Sequence, residues 1–319
     1  MEESSPLQSQ SELAINWTRR KIIFFSFLTV SLFLNFDTGV IPAAAIKIQK
    51  EIKVDYSQLA ALGTFVNFGI GLACLFASFF FRKFPAKWVL LSTIILNSLF
   101  CIYFAISHKL EILYVARILM GITQAFWIIY ASIWVNSFAP ENSKATWLGL
   151  LQGFSPIGII VGYATTSLIM NSIPGIHSWR LAVYVQGIGQ LIPFPIVFML
   201  PNDEIDVLRS KYISIHEMED GFDLTNLRQV ATETKKLLKN SVYIYSVGGL
   251  TTLFFVVFGM QFWGTTYLVK YMGFPPLVAM AIFVSVTITA PLFGVIIGGI
   301  ISDKMVLVNV NLLGRIPGT

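Results

Sequence analysis

Eight long apolar stretches constrain this chain more than any other feature. They run over residues 22–45, 58–81, 87–107, 112–137, 145–171, 178–200, 241–269 and 277–301. A helix needs about 20 mostly apolar residues to cross about 30 Å of hydrocarbon, and every stretch meets that length. Each is too long for an interior helix of a soluble domain and for a transmembrane strand. The sequence therefore predicts an all-α polytopic membrane protein. Only 12% of the residues are charged and 55% are apolar, against about 25% charged in a soluble domain. That excludes an ordinary soluble enzyme and, despite the net charge of +5, a nucleic-acid partner. The lipid bilayer is the partner this composition implies.

The basic residues predict the orientation. With Arg19, Arg20 and Lys21 ahead of the first span in the cytoplasm, fifteen of the 22 Lys and Arg fall on the cytoplasmic side and six on the other, with Arg117 inside span 4. This bias places both termini in the cytoplasm. No cleavable leader is expected, because the first 18 residues are polar and the first apolar stretch is too long for a signal sequence. On this topology the Asn16-Trp17-Thr18 sequon is unused. The longest polar segment, 201–240, reads as a cytoplasmic linker. It gives an N-tail over 1–21, a six-span first half over 22–200, two further spans over 241–304 and a short tail over 305–319. The Glu233 to Leu238 stretch has the spacing of an acidic dileucine signal, but it abuts span 7, and its leucines read as the start of that helix.

Two charges inside the spans carry the chemistry. Asp37 is the acid well inside an apolar stretch, and Arg117 is the comparably placed cation. A carboxylate at membrane depth costs a few kcal/mol, so it faces a cavity, finds a cation or becomes neutral. The expectation is that Asp37 and Arg117 face each other in the cavity of the first half. Three roles stay open: a static pair joining spans 1 and 4, a proton switch, or contact with a polar group of the cargo. Gln124 lies two helical turns beyond Arg117, on the same face. With Asn35, Gln152, Ser155, Gln186, Gln190 and Gln261 it offers a neutral polar lining, to which Trp127 adds aromatic surface. Such a lining suits a neutral or amphipathic solute. Interhelical hydrogen bonding explains each residue taken singly.

Small residues recur four apart. Gly149 and Gly153, then Gly158 and Gly162, place smooth faces on span 5, and Pro156 withdraws a backbone donor there. The cysteines, Cys74 and Cys101, sit in apolar stretches and form no disulfide framework. The histidines, His108, His177 and His216, lie near span ends or in a loop. No Cys/His spacing suggests a metal, no cofactor is implied, and no catalytic constellation is present.

Several of these patterns resemble the major facilitator superfamily. Span 4 carries Arg117 four residues before Gly121, span 5 a glycine–proline run through Gly153, Pro156, Gly158 and Gly162, and span 6 opens Ser178-Trp179-Arg180. Span 8 ends in Gly299, Asp303 and Lys304, resembling the superfamily's cytoplasmic signature loop. The loop after span 2 is its internal repeat, with Ala77, Phe81 and Arg82 in the matching places. There Phe81 replaces the usual aspartate, which predicts a weakened charge lock between halves. Within the superfamily the segment LNFDTGVIPA resembles the spinster branch through Asn35, Asp37 and Pro42. Thr38 stands at that branch's arginine, and Gln124 at its glutamate.

The resemblance implies a major facilitator-type helical bundle with a six-span first half plus two spans of the second half. It implies a membrane transporter rather than an enzyme, moving a small organic or amphipathic solute by alternating access; with Thr38 and Gln124 neutral, proton coupling through Asp37 stays one of the three roles left open above. The superfamily continues for four more spans, so a chain ending at Thr319 is expected to be truncated, to be completed by a second chain, or to act as a non-transporting membrane scaffold.

Overall fold

The computed structural model describes residues 17–140, 143–206, 232, 235–287 and 289. The chain divides into two units, residues 1–215 and 216–319. All regular structure among the described residues is helical. Among the described residues, seven helical segments are long and apolar enough to cross a membrane.

The first unit holds α1 (Trp17–Ile52), α2 (Tyr56–Lys83), α3 (Ala86–Ile106), α4 (Leu110–Phe138) and α5 (Lys144–Ser172). Then come α6 (Trp179–Gly189), α7 (Phe194–Met199) and the single turn α8 (Asn202–Ile205). The second unit holds α9 (Ser241–Lys270) and the shorter apolar α10 (Pro276–Thr287). The rest of the expected eighth span, with Gly299, Asp303 and Lys304, lies outside the described residues.

Backbone chemistry explains where helices start and stop. Asp55 caps α2 by accepting from Gln58 N at 2.7 Å, while the Gln58 side chain accepts from Asp55 N at 3.1 Å, a reciprocal capping box. The stretch read as one span over 178–200 is interrupted. Pro193 lacks an N–H and its ring opposes the carbonyl four residues back, so the chain tightens into i to i+3 turns before resuming as α7. Leu191 N donates to Ile188 O at 3.0 Å, and Ile192 N to Gly189 O at 3.1 Å.

Glycine decides which helices pair. A Cβ at Gly158 or Gly162 would collide with the Leu32 or Phe36 carbonyl of α1, and one at Gly39 would collide with the Ile159 carbonyl of α5. The same reciprocity joins Gly69 of α2 to the Ile118 carbonyl and Gly121 of α4 to the Val66 carbonyl. The small-residue face expected on span 5 therefore seats α1 through Gly158 and Gly162. It does not extend to Gly149 and Gly153: among the described residues nothing lies within 4 Å of a Cβ at either. The physical reason is that 149 and 158 are nine residues apart, which turns the first glycine pair off the α1-facing stripe.

Beneath these pairs an aromatic core forms at one end of the unit. Phe81 packs 4.7 Å from Tyr130 and 5.7 Å from Phe126, ring centre to ring centre. Position 81, which breaks the expected acidic signature, is thus a buried core aromatic. At the same end the residues after α7 are pinned down. Tyr130 Oη donates to Ile205 O at 2.6 Å, Trp134 Nε1 donates to Glu204 O at 3.0 Å, and Lys87 Nζ donates to Phe198 O at 2.7 Å. The segment expected to open the linker at 201 is therefore part of the first unit as far as Asp206.

Candidate functional site

The sequence singles out Asp37 and Arg117, and the fold brings them together. Asp37 is 2% exposed on α1 and Arg117 1% on α4. Arg117 Nη1 donates to Asp37 Oδ2. Arg117 also donates through Nε to the Leu62 carbonyl of α2 at 2.9 Å, and its guanidinium lies 5.7 Å from the Phe104 ring centre of α3. One cation thus touches three other helices. Asp37 uses one oxygen only: Oδ1 is buried and has no hydrogen-bond partner among the described residues. Pro42 adds a backbone acceptor nearby, since it supplies no N–H to the Thr38 carbonyl.

Gln124 is buried on α4, and its Nε2 has no partner among the described residues. On α6, Gln186 is fully buried with both amide atoms unpartnered, and Gln190 donates from Nε2 to Cys101 Sγ at 3.8 Å. Asn97 adds donors to the Met120 carbonyl and Thr123 Oγ1 at 2.9 and 2.7 Å. The buried interior of α1, α3, α4 and α6 is therefore polar well beyond the ion pair.

The other site residues gather elsewhere. A cleft between α1, α4 and α5 is lined by Asn35, Trp127, Gln152 and Ser155, with Phe27 and Leu151 among its apolar walls. Ser155 Oγ donates to Asn35 Oδ1 at 2.6 Å, and Asn35 Nδ2 donates to the Ser31 carbonyl at 2.8 Å. Trp127 turns its N–H away, to the Leu90 carbonyl at 3.0 Å, and offers ring surface to the cleft. Pro156 leaves the Gln152 carbonyl without its helical donor, a further acceptor at this wall. Asp37, Arg117 and Gln124 are not among the lining residues. The expectation of one cavity holding the ion pair and the neutral polar lining is corrected to two places. The cause is helical geometry, since residues two apart point to different sides.

Of the remaining expected residues, Gln261 lies half-buried on α9 in the second unit. Arg82 falls at the end of α2. Gly299, Asp303 and Lys304 are outside the described residues.

A second charged cluster escaped the sequence reading, at the opposite end from the 201–206 segment. Glu51, at the end of α1, accepts from Arg180 Nη2 at 2.6 Å and from Trp179 Nε1 at 2.7 Å. Arg180 also donates to the Ala105 and Ser107 carbonyls. Arg117 is thus not the one buried cation, for Arg180 and Lys87 are each 6% exposed. Their positions at the ends of apolar stretches concealed them. The signal available was Ser178-Trp179-Arg180, noted as a span opening rather than as a partner for Glu51.

A helical bundle of this kind, with spans seated on glycine and a polar interior, is the architecture of a multi-pass membrane protein. The sequence matches the Major Facilitator Superfamily over residues 22–318, and the chain belongs to that family. It is similar to a probable sphingolipid transporter, spinster homolog 3, of Arabidopsis thaliana, at 26% identity over 59% of this chain and 40% of that protein. It is also similar to protein spinster homolog 1 of Xenopus laevis, at 28% identity over 49% of this chain and 28% of that protein. The matches thus span two fifths or less of these relatives' length. Among solved structures, a xylose transporter from E. coli in a partially occluded inward-open conformation aligns with 89% of this chain and 73% of its own. The TM-score is 0.67 and the identity 13%, a likeness of fold.

Proposed function

We propose that this chain forms the solute-reading half of a transporter for a neutral or amphipathic organic molecule, moved by alternating access. The observation that carries the reading is the α1–α4–α5 cleft. Among its lining residues the polar groups are amides and hydroxyls, set beside aliphatic and aromatic walls, with no ionised side chain. Such a surface hydrogen-bonds an uncharged head and accepts an apolar body, and offers nothing to neutralise a charged solute. The names of the relatives agree in kind, since sphingolipids are amphipathic and xylose is a neutral polyhydroxy compound.

The Asp37–Arg117 pair supplies the coupling in this proposal. It lies behind the cleft, against α2 and α3. When Asp37 takes a proton the attraction to Arg117 ends, and Arg117 relies on Leu62 O and the Phe104 face. That change acts on the contacts of α1 with its neighbours, not on the solute. A second reading draws on the same geometry: with Arg117 bonded on three sides, the pair is a static pin in a membrane scaffold that transports nothing.

Uptake by vesicles containing the 319-residue chain distinguishes the two. A panel of neutral sugars, polyols and ceramides is offered with and without an inward proton gradient. Transport of one class, lost in Asn35→Leu, supports the cleft. No uptake of any class by well-folded protein overturns the transporter reading for this chain. The proposed orientation has both termini and the 207–240 segment on the cytoplasmic side, in an unassigned membrane.

A further inference from the structure

Three residues that the sequence keeps far apart meet at the rim where α1 ends. Glu51 closes α1, His108 lies between α3 and α4, and His177 lies between α5 and α6. One ligand-type atom from each lies within 4.8 Å of the other two. The His108 and His177 rings are 6.1 Å apart, set edge to face. His177 Nδ1 is 2.8 Å from Glu51 Oε1. Both histidines are exposed, while the Glu51 side chain is only 5% exposed. We infer that His108 and His177 form a binding site for a transition-metal dication of the zinc class, with Glu51 as the residue that positions His177.

The chemistry of the donors supports this. A histidine that ligates a metal commonly gives its other ring nitrogen to a carboxylate, which fixes the tautomer and turns the remaining nitrogen outward. Glu51 stands where that carboxylate is needed. Its charge is already matched by Arg180, and Oε2 is taken by Trp179. Glu51 therefore serves the site through His177 rather than as a ligand.

The backbone around both histidines is held in place. Arg180 donates to Ala105 O and Ser107 O, which fixes the turn carrying His108, and the same guanidinium holds Glu51. Lys47 Nζ donates to Met170 O and Gly175 O at 3.2 Å and to Ser178 Oγ at 2.8 Å, which fixes the loop carrying His177. Zinc–nitrogen bonds of about 2.0–2.1 Å put tetrahedral donors about 3.4 Å apart. Binding therefore draws the His108 and His177 nitrogens closer than the 4.8 Å within which the three residues' ligand atoms lie, with Glu51 still holding His177 through Nδ1. Water completes the coordination. The nearby cations Arg180, Lys47 and Lys109 oppose a dication, so the site is of modest affinity, filled when zinc is plentiful.

The test is zinc titration of the purified full chain in detergent, its affinity tag removed, by calorimetry and by the zinc-induced rise in melting temperature. One zinc per chain is expected. His108→Ala and His177→Ala each weaken binding at least tenfold and remove the thermal rise. Without zinc the melting temperature stays near the parent value in His108→Ala and falls slightly in His177→Ala, which also loses the contact to Glu51. His216→Ala binds as the parent does. Glu51→Gln weakens binding about tenfold, while X-ray absorption of the zinc-loaded variant still shows two imidazoles. No zinc binding by the parent chain, or parent-like binding by either His108→Ala or His177→Ala, overturns the site. A protein carboxylate in the zinc shell overturns the positioning role of Glu51. None of these readouts depends on transport.

Discussion

Asn35 and Asp37 stand two residues apart on α1 and serve different partners. Asn35 accepts from Ser155 of α5 and lines the cleft, while Asp37 is buried against Arg117 of α4. One turn of one helix thus carries both a polar wall of the cleft and a buried charge. Solute affinity and proton response should then separate by mutation.

For the pair, removal of one partner should cost more than removal of both. Asp37→Asn leaves a buried guanidinium without its counter-charge, and breaking a buried pair from one side typically costs about 3–5 kcal/mol. Asp37→Asn with Arg117→Met removes the charge as well and recovers most of that loss. A thermodynamic cycle of melting or denaturant unfolding in detergent measures it. Additive losses, the double variant losing the sum of the two single variants, would show that the pair contributes nothing beyond packing. In vesicles Asp37→Asn should also abolish any pH-driven component of uptake.

For the cleft, Asn35→Ala and Ser155→Ala should raise the KM for solute about two- to tenfold and leave the pH dependence unchanged. Each removes one polar contact at a site whose other contacts remain, and a single hydrogen bond nets about 0.5–1.5 kcal/mol. Initial uptake rates against concentration and external pH check both parts.

Glycine positions supply a sharper test of the packing. Gly162→Ala sets a methyl group against the Phe36 carbonyl, so α5 must shift from α1. A cost of about 1–3 kcal/mol is expected, as for overpacking elsewhere. Gly153→Ala, with nothing within 4 Å of its Cβ, should be neutral or slightly stabilising through helix propensity. Melting of the two variants in one detergent decides it, and equal effects would contradict this arrangement of α1 and α5.

Much of the bundle is legible in the sequence because lipid leaves little choice: a backbone that finds no water must satisfy itself in helices. Hydropathy, however, reports contact with lipid and not the length of a helix. α1 continues past residue 45 to Ile52, because Ile48 is still buried and Glu51 reaches Arg180. Asp37 and Arg117 were legible as rare charges at depth. Glu51, Arg180 and Lys87 were not, since charge near a span end is also what a solvated end looks like. The separation of cleft from ion pair was present in the two-residue offset between 35 and 37. It needed the position of α5 before it could be read.

The anchored segment after α7 gives the last test. Tyr130 Oη holds Ile205 O, and Trp134 Nε1 holds Glu204 O, both inside the bundle end. Arg19 of α1 adds an exposed pair to Glu204 at 2.8 Å, which contributes little because water screens it. Tyr130→Phe should therefore cost about 1 kcal/mol and Arg19→Ala almost nothing. With a protease site placed at 201–206, cleavage should be slow in the parent and faster in Tyr130→Phe. A matching site at 216–220 should be cut at one rate in both. If Tyr130→Phe leaves cleavage at 201–206 unchanged, the Tyr130 bond is not what holds the segment. Performed on sealed vesicles of known sidedness, the same digestion reports the face on which the segment lies. Cleavage from the external face would reverse the orientation drawn from the basic residues.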